Sequence, residues 1–353
     1  MNAARPTLPD LGWTPFFAAQ LSPEEVDRLL PARVFEVQRT HITLMAAEGE
    51  LSLPLGGRWF QLDPEERPTV GDWVLVSPER DAVVRLLDRN SLLKRLSPGR
   101  TGAVQLIAAN VDTLFLVSSC NQDFNPRRLE RYLALAYEAG IEPVVVLTKA
   151  DLCGAVEAYV DEARKLGRGL EVVALDVRDR QALAPLSPWF AAGHTVALLG
   201  SSGVGKSTLV NALCDELVQR TAEIREDDGK GRHTTTHRSL HPLPGGGLIL
   251  DSPGMRELGM AEAERGVRQM FDDVEALAHR CRFADCRHDT EPGCAVKAAI
   301  EAGGLTAERL ESYRKLSREE ALNAETIAER HARHRATDKL HRRVQEASPK
   351  RKR

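Results

Sequence analysis

The sequence lacks any long hydrophobic run. No stretch approaches the roughly 20 apolar residues that a membrane-spanning helix needs, and residues 1–17 lack the apolar centre of a secretory signal peptide. These two absences predict a cytoplasmic protein with no membrane partner. The chain also has no internal repeat. Its 353 residues are too many for one ordinary core, so we expect two or three domains.

The chain has little net charge, and the total of -3 says little about its partners. The charge is unevenly distributed, however, because residues 330–353 carry ten lysines and arginines against two acidic residues. A basic tail of this kind favours binding to polyanions such as nucleic acid. The alternative is a solvated, frayed helix end that binds nothing.

Cysteine is scarce, with six residues in the whole chain. Three of them crowd into one short stretch beside a histidine, and in a reducing compartment this crowding favours a metal over disulfides. Three sulfurs and one nitrogen form the closed ligand set of a structural zinc site, which leaves no open position for catalysis. The alternative is three buried thiols beside an incidental histidine. The predicted zinc ligands are Cys281, Cys286, His288 and Cys294. The other cysteines, Cys120, Cys153 and Cys214, have apolar neighbours and are predicted core residues.

The secondary-structure pattern changes three times along the chain. Proline-rich residues 1–30 predict a weakly structured extension, and short alternating runs in 31–98 predict a small all-β barrel, of either the OB or the SH3 type. From about residue 105, apolar strands alternate with amphipathic helices, which predicts a mostly parallel sheet covered on both faces. Beyond residue 262 the pattern is helical. The predicted divisions are 1–30, 31–98, 99–262, 263–304 and a basic helix and tail over 305–353.

Residues 200–210 read "GSSGVGKSTLV" and match a phosphate-binding loop between a predicted strand and a predicted helix. The glycines allow the backbone N–H groups to point at phosphate oxygens, Lys206 would reach the β- and γ-phosphates, and Ser207 would bind Mg²⁺. The alternative is a glycine-rich turn that binds nothing. The predicted nucleotide-binding residues are Gly200, Ser201, Ser202, Gly203, Val204, Gly205, Lys206, Ser207 and Thr208.

A second nucleotide-binding element, "LTKADL", occupies residues 147–152. At its tip, Asp151 can accept hydrogen bonds from guanine N1–H and the exocyclic amine, whereas adenine presents an acceptor there, so the element favours GTP over ATP. Ordinary GTP-binding proteins carry this element after the phosphate loop. We therefore predict a re-ordered chain with the base reader first, the phosphate loop second and the switches last. The predicted base-reading residues are Thr148, Lys149, Ala150 and Asp151.

Two further motifs predict the switch regions. "LILDSPG" is an apolar strand that ends at Asp251, which would hold Mg²⁺ through water, while Gly254 would sense the γ-phosphate. Between this strand and the phosphate loop lies "REDDGKGRHTTTHRSL", a loop that could become ordered on γ-phosphate. Thr235 is the predicted Mg²⁺-side threonine, with its two neighbouring threonines as alternatives. An ordinary polar loop is the other interpretation.

The order of these motifs, with "GSSGVGKST", "GRHTTTHR", "DSPG" and "CRFADCRHDTEPGC", resembles the circularly permuted GTPases of the ribosome small subunit-dependent GTPase A family. The resemblance implies three domains: an OB-like barrel, a permuted α/β GTPase domain with a mostly parallel sheet, and a helical zinc-binding domain. It further implies a late factor in maturation of the small ribosomal subunit. GTP hydrolysis would be slow, and the subunit would stimulate it.

This chain departs from the family pattern at two places. Thr148 stands where the family usually has asparagine, so a hydroxyl replaces one amide contact near the base. Asp176 and Val177 stand where a serine and an alanine usually support the guanine. The first departure predicts a lower nucleotide affinity, and neither removes Asp151.

Hydrolysis requires a group that orients the attacking water. Met255 follows Gly254, and a thioether cannot orient water, which predicts a low intrinsic rate. His233 is the candidate for positioning the water, and the family resemblance also points to it. The alternative is that His233 only contacts RNA.

Two other functions compete with a ribosome-dependent GTPase. One is a metabolic phosphoryl-transfer enzyme that uses the same loop, and the other is an RNA-binding protein with a vestigial nucleotide site. The barrel, the cysteine cluster and the basic tail argue against the first, while intact Lys206, Ser207 and Asp251 argue against the second. The predicted partners are therefore GTP with Mg²⁺, one structural Zn²⁺, and the small ribosomal subunit with its RNA. Nothing in the sequence demands more than a monomer.

Overall fold

The computed structural model describes residues 6–96, 104–214, 238–243, 246–251 and 263–321. The chain divides into two compact units, and each is considered by itself. The first unit comprises Met1–Lys94 and Gln105–Leu258, and the second comprises Arg95–Val104 and Gly259–Arg353. Within the described ranges, no helix has both the length and the apolar character needed to cross a membrane.

The N-terminal extension is ordered where it is described, so the expectation of weak structure is wrong for residues 6–29. Pro9, Pro15 and Pro23 each begin a helix, because proline suits the first helical turn. The extension packs its aromatic residues against Trp73, whose ring centroid lies 4.8 Å from that of Trp13 and 5.8 Å from that of Phe17. Its elements are a 3₁₀ turn at Pro9–Leu11, α1 (Pro15–Ala18) and α2 (Pro23–Arg28).

The predicted β-rich region forms an antiparallel layer in the order β3-β2-β1-β4-β5. Alternate residues point to a shared core that includes Val34, Ile42, Leu44 and Val76, and α3 adds Trp59 to it. This alternation is the period-two pattern that predicted the strands. The elements are β1 (Leu30–Val37), β2 (His41–Ala46), β3 (Gly49–Pro54), α3 (Gly57–Phe60), β4 (Trp73–Val76) and β5 (Val83–Leu86).

A buried guanidinium joins the extension to this layer. Arg33 on β1 is 1% exposed, and it donates hydrogen bonds to Leu11 O, to Gly71 O at 3.3 Å and to Asn110 O at 2.8 Å. These three carbonyls belong to segments far apart in the sequence. Burial lowers the pKa of Arg33 to about 10, so the side chain remains a cation at neutral pH.

The nucleotide-binding motifs lie on a second set of strands, in the order β10-β9-β8-β11-β13-β12. All neighbouring pairs are parallel except β12 with β13, and β12 also pairs with β1, so the two sets form one 11-stranded sheet. The parallel strands are nearly continuous apolar runs because both of their faces are buried. The strands are β8 (Thr113–Ser119), β9 (Glu142–Thr148), β10 (Glu171–Ala174), β11 (Thr195–Gly200), β12 (Ser239–Pro242) and β13 (Leu248–Asp251).

In the described part of the first unit, three further α-helices accompany these strands. The longest, α4, begins at the Asn125 cap, whose side chain accepts from Arg128 N, and it ends at Gly140 in the left-handed conformation. A separate two-stranded sheet, which the sequence did not predict, pairs β6 (Leu92–Leu96) with β7 (Val104–Ala109). The helices are α4 (Pro126–Ala139), α5 (Val156–Arg164) and α6 (Lys206–Leu213).

The second unit is helical, as its sequence predicted. Its last described helix, α10, begins at residue 307 and is described to residue 321. The Arg309 guanidinium lies 4.3 Å from the centre of the buried Phe271 ring and 3.2 Å from the Asp273 carboxylate. The Tyr313 hydroxyl donates to Glu275 at 2.8 Å. The described part of α10 therefore packs onto the helices before the cysteine cluster. The remaining helices are α7 (Glu264–Met270), α8 (Asp272–Ala278) and α9 (Ala295–Glu301).

Candidate nucleotide site and metal centre

The base-reading and phosphate-binding elements meet at one edge of the sheet. Thr148 ends β9 and pairs with Ser119 of β8, while Gly200 ends β11 and pairs with Val117 of the same strand. Because β9 and β11 are both parallel to β8, their carboxyl ends lie one strand apart. This edge is where open parallel sheets bind ligands.

The phosphate loop has the backbone that its glycines predicted. Gly203 and Gly205 have φ values of 80° and 92°, a region that favours glycine. A Cβ added at Gly200 would lie 2.3 Å from Val117 O, so a larger residue cannot fit between the loop and β8. Lys206 begins α6, and its Nζ donates to Gly200 O at 2.6 Å and to Ser201 O. The lysine amine therefore lies beside the first two residues of the loop.

Thr148 connects the base-reading element to the phosphate loop. Its side chain is completely buried, and Oγ1 lies 2.6 Å from Val204 O and 3.1 Å from Ser118 O. A hydroxyl has one hydrogen to donate, so we assign the bond to the nearer acceptor, Val204 O. The threonine thus anchors the two nucleotide-binding elements to each other.

Asp151 lies in the short 3₁₀ turn Ala150–Leu152, which follows Lys149 in the left-handed conformation. Its carboxylate is paired with the guanidinium of Arg178, whose Nε lies 3.3 Å from Asp176 Oδ1. The hydrogen bond to Asp176 and the charge of Asp151 raise the pKa of Arg178. The departure from the family pattern at residue 176 therefore supplies a carboxylate that holds an arginine beside the base-reading residue.

The predicted zinc ligands converge in the second unit. One ligand atom from each of the four residues lies within 4.8 Å of the others. Cys281 Sγ lies 3.9 Å from Cys294 Sγ, and His288 Nδ1 lies 3.6 Å and 3.5 Å from these two sulfurs. Zinc bonds of about 2.3 Å to sulfur and 2.0 Å to nitrogen give tetrahedral edges of about 3.8 Å and 3.5 Å. The cluster, which includes Cys286, therefore has the size of a tetrahedral zinc site.

The side chain of Glu291 holds the backbone of the loop around His288 in place. The Glu291 carboxylate accepts from the N–H groups of Arg287 at 2.9 Å, Asp289 at 2.8 Å and Thr290 at 3.0 Å. These bonds, with that of Arg287 the largest contribution, lower the pKa of Glu291 to about 2. Burial lowers the pKa of His288, which favours the neutral imidazole that a metal requires. The donor set and its surroundings thus fit a structural zinc ion.

The sequence model of the RsgA GTPase family matches residues 86–261 of this chain. The small ribosomal subunit biogenesis GTPase RsgA 2 of Vibrio parahaemolyticus is 50% identical over 346 residues, which cover 98% of this chain and 94% of the relative. The small ribosomal subunit biogenesis GTPase RsgA of Mesorhizobium japonicum is 49% identical over 326 residues, 92% of each chain. The chain belongs to the RsgA GTPase family.

Two solved structures of similar proteins agree with this membership. YjeQ from Thermotoga maritima has a TM-score of 0.61 and 25% identity, covering 83% of this chain and 99% of its own. YloQ, described as a circularly permuted GTPase, has a TM-score of 0.60 and 26% identity, covering 83% of this chain and 95% of its own. The predicted permutation is therefore confirmed, and as an RsgA GTPase the protein is a GTP-hydrolysing enzyme.

Several predicted site residues of this RsgA GTPase lie outside the described residues. They are His233, Thr235 and Gly254, together with Met255 and the basic tail. Asp251 ends β13 and pairs with Ser239 of β12, but its side chain also lies outside the described part. The roles of these residues in magnesium binding and hydrolysis stay predictions.

Two arginines at the nucleotide site were missed by the sequence analysis. Arg178 pairs with Asp151, and Arg128 on α4 donates to Ser201 Oγ in the phosphate loop. Neither belongs to a recognisable motif, and each is brought to the site by a strand or helix remote in sequence. Of the cysteines predicted to be core residues, Cys120 and Cys214 are buried, whereas Cys153 is only partly buried.

Proposed function

We propose that this GTPase acts late in the maturation of the small ribosomal subunit and that the subunit stimulates its GTP hydrolysis. The observation that carries the proposal is the permuted site: base reader and phosphate loop lie at one sheet edge in reversed chain order. Relatives at about half identity are named small ribosomal subunit biogenesis GTPases. We further propose a cytoplasmic monomer.

Each nucleotide-binding element has a separate task in this proposal. Asp151 accepts from the guanine, and Lys149 lies along the base. The backbone N–H groups of 200–208 and the Lys206 amine hold the phosphates. Ser207, Thr235 and Asp251 hold Mg²⁺, which neutralises phosphate charge when bound. Gly254 senses the γ-phosphate.

Slow intrinsic hydrolysis follows from the residue after Gly254. Met255 has no group that orients water, so a second residue is needed. We assign this role to His233, whose imidazole would position the attacking water once the subunit orders the switch. Activity would then be low until the protein docks.

We propose that the zinc unit, by which we mean the part of the second unit around the cysteine cluster, contacts ribosomal RNA. Cys281, Cys286, His288 and Cys294 would hold one structural Zn²⁺, which would keep their loop folded. In this loop Phe283 is 41% exposed, and the Arg282 guanidinium lies 5.5 Å from its ring centre. An aromatic ring beside a guanidinium suits stacking on an RNA base.

We also propose that the nucleotide state reorients the zinc unit and the basic helix against the RNA. Only eight residues, 255–262, separate the "DSPG" switch from residue 263, where the described helical part of the second unit begins. The test places a photocrosslinker at Phe283 in the full-length protein. We expect different RNA crosslinks with a non-hydrolysable GTP analogue and with GDP. Identical crosslinks in the two states would contradict the relay.

The division of the chain supports a role for each part. We propose that 31–98 is an OB-like barrel that contacts RNA, that 99–262 is the GTPase domain, that 263–304 is the zinc-binding module, and that 305–353 is a basic helix and tail. The described part of the extension, 6–29, packs against the β-rich region, because Arg33 and Trp73 both contact it.

The decisive experiment measures phosphate release from GTP and from ATP, each with and without purified small ribosomal subunits. We expect strong stimulation by subunits that is restricted to GTP. Lys206→Ala is the control, since it removes the phosphate-binding amine and should abolish release in every condition. Equal turnover of GTP and ATP, indifferent to subunits, would contradict the proposal and revive a small-molecule acceptor.

A further inference from the structure

Arg128 stands at the edge of the phosphate loop without belonging to any nucleotide-binding motif. It lies in the first turn of α4, directly after β8, and β8 is the strand next to β11. Its guanidinium donates to Ser201 Oγ, and the carbonyl of the same serine accepts from Lys206 Nζ. Two cationic side chains therefore converge on one residue of the loop.

The guanidinium has hydrogen-bonding capacity that its protein contacts do not use. It carries five N–H donors in a fixed fork, and its contact within the described residues is Ser201 Oγ. No carboxylate in the described part of the chain pairs with it. Arg128 is also partly buried, and removing an uncompensated charge from water is unfavourable. An anionic ligand would compensate this charge.

The position of Lys206 indicates which part of the nucleotide Arg128 would meet. A lysine in this motif reaches the β- and γ-phosphates, and here its amine contacts the carbonyls of Gly200 and Ser201. The start of the loop, at Gly200 and Ser201, is therefore the part closest to the terminal phosphate. Arg128 contacts this same part of the loop through Ser201. Arginine is well suited to phosphate oxygens because its fork binds two at once.

We propose that Arg128 is a second phosphate-binding cation of the GTP site, supplied by α4, and that it contacts the terminal phosphate. The inference rests on the proposed nucleotide site. It makes Arg128 a residue that distinguishes GTP from GDP, because only GTP carries the γ-phosphate.

The test compares the binding of GDP and of a non-hydrolysable GTP analogue to full-length protein. We expect Arg128→Ala to weaken binding of the analogue by about tenfold, as for loss of a charge-assisted hydrogen bond, with little change for GDP. Arg128→Lys should recover part of the loss. Arg127→Ala is the matched control, because it removes the same charge from the adjacent, exposed position and should change neither affinity.

A second variant separates phosphate binding from anchoring of the loop. Ser201→Ala removes the protein acceptor but keeps the cation, so it should leave the preference for the GTP analogue over GDP intact. Equal losses for both nucleotides in Arg128→Ala, or no loss, would overturn the inference. If wild-type protein binds GTP analogue and ATP analogue equally, the proposed nucleotide specificity fails, whatever Arg128 does. Unchanged GDP binding in Arg128→Ala also shows that this variant is folded.

Discussion

Replacing Thr148 by valine tests the connection between the two nucleotide-binding elements. The two side chains have nearly the same shape, so the substitution removes the hydroxyl and little else. In the wild type that hydroxyl lies 2.6 Å from Val204 O and is completely buried. Val204 itself is 1% exposed, so water cannot readily take the place of the lost donor.

The expected effect is a loss of about 1–3 kcal/mol in the free energy of unfolding, because the Val204 carbonyl would remain buried without a partner. Freed from its anchor, the phosphate loop should also bind guanine nucleotide more weakly. Thr148→Ser is the control, since it keeps the hydroxyl and loses a methyl group. Its affinity for nucleotide should stay closer to that of the wild type.

Urea-induced unfolding followed by tryptophan fluorescence is a suitable assay. All four tryptophans of the chain, Trp13, Trp59, Trp73 and Trp189, belong to the first unit, which contains the site. The signal therefore reports this unit alone. Binding of a fluorescent guanine nucleotide supplies the second measurement. If Thr148→Val unfolded at the wild-type urea concentration and bound nucleotide equally well, the reasoning would be refuted.

Three further predictions follow from the described contacts. Asp151→Asn should weaken GTP binding and improve binding of xanthosine triphosphate, measured by competition, since the amide can donate to the 2-oxo group that replaces the guanine amine; a parallel loss of both nucleotides would contradict base reading. Removing zinc with a chelator, or replacing Cys294 by serine, should reduce the helical circular dichroism of the second unit and expose it to protease, while the tryptophan-monitored transition stays in place. Arg33→Met should lower the free energy of unfolding of the first unit by about 3 kcal/mol, because three carbonyls lose their shared donor. Urea-induced unfolding measures this loss, and a transition at the wild-type urea concentration would show that these bonds contribute nothing.

Much of the fold could be predicted because its signals are local. The strand "VVVLT" and the loop "GSSGVGKST" are recognisable from apolar runs, glycine positions and the helix that follows. The metal cluster could be predicted for the same reason, because its ligands, from Cys281 to Cys294, lie close together in the sequence. Helix α4 likewise carries a local capping signal at each end, Asn125 at its start and Gly140 after its last residue.

Local signals in the sequence therefore predicted the alternating strands and helices that carry the nucleotide motifs, the reversed order of those motifs and the four residues of the metal cluster. Tertiary structure alone decided that Thr148 is held by Val204, that Arg178 is shared by Asp176 and Asp151, and that Arg128 reaches Ser201. It also decided that the N-terminal extension is packed against Trp73. Most of these contacts join residues dozens of positions apart, and no local periodicity encodes which distant side chains the sheet brings together.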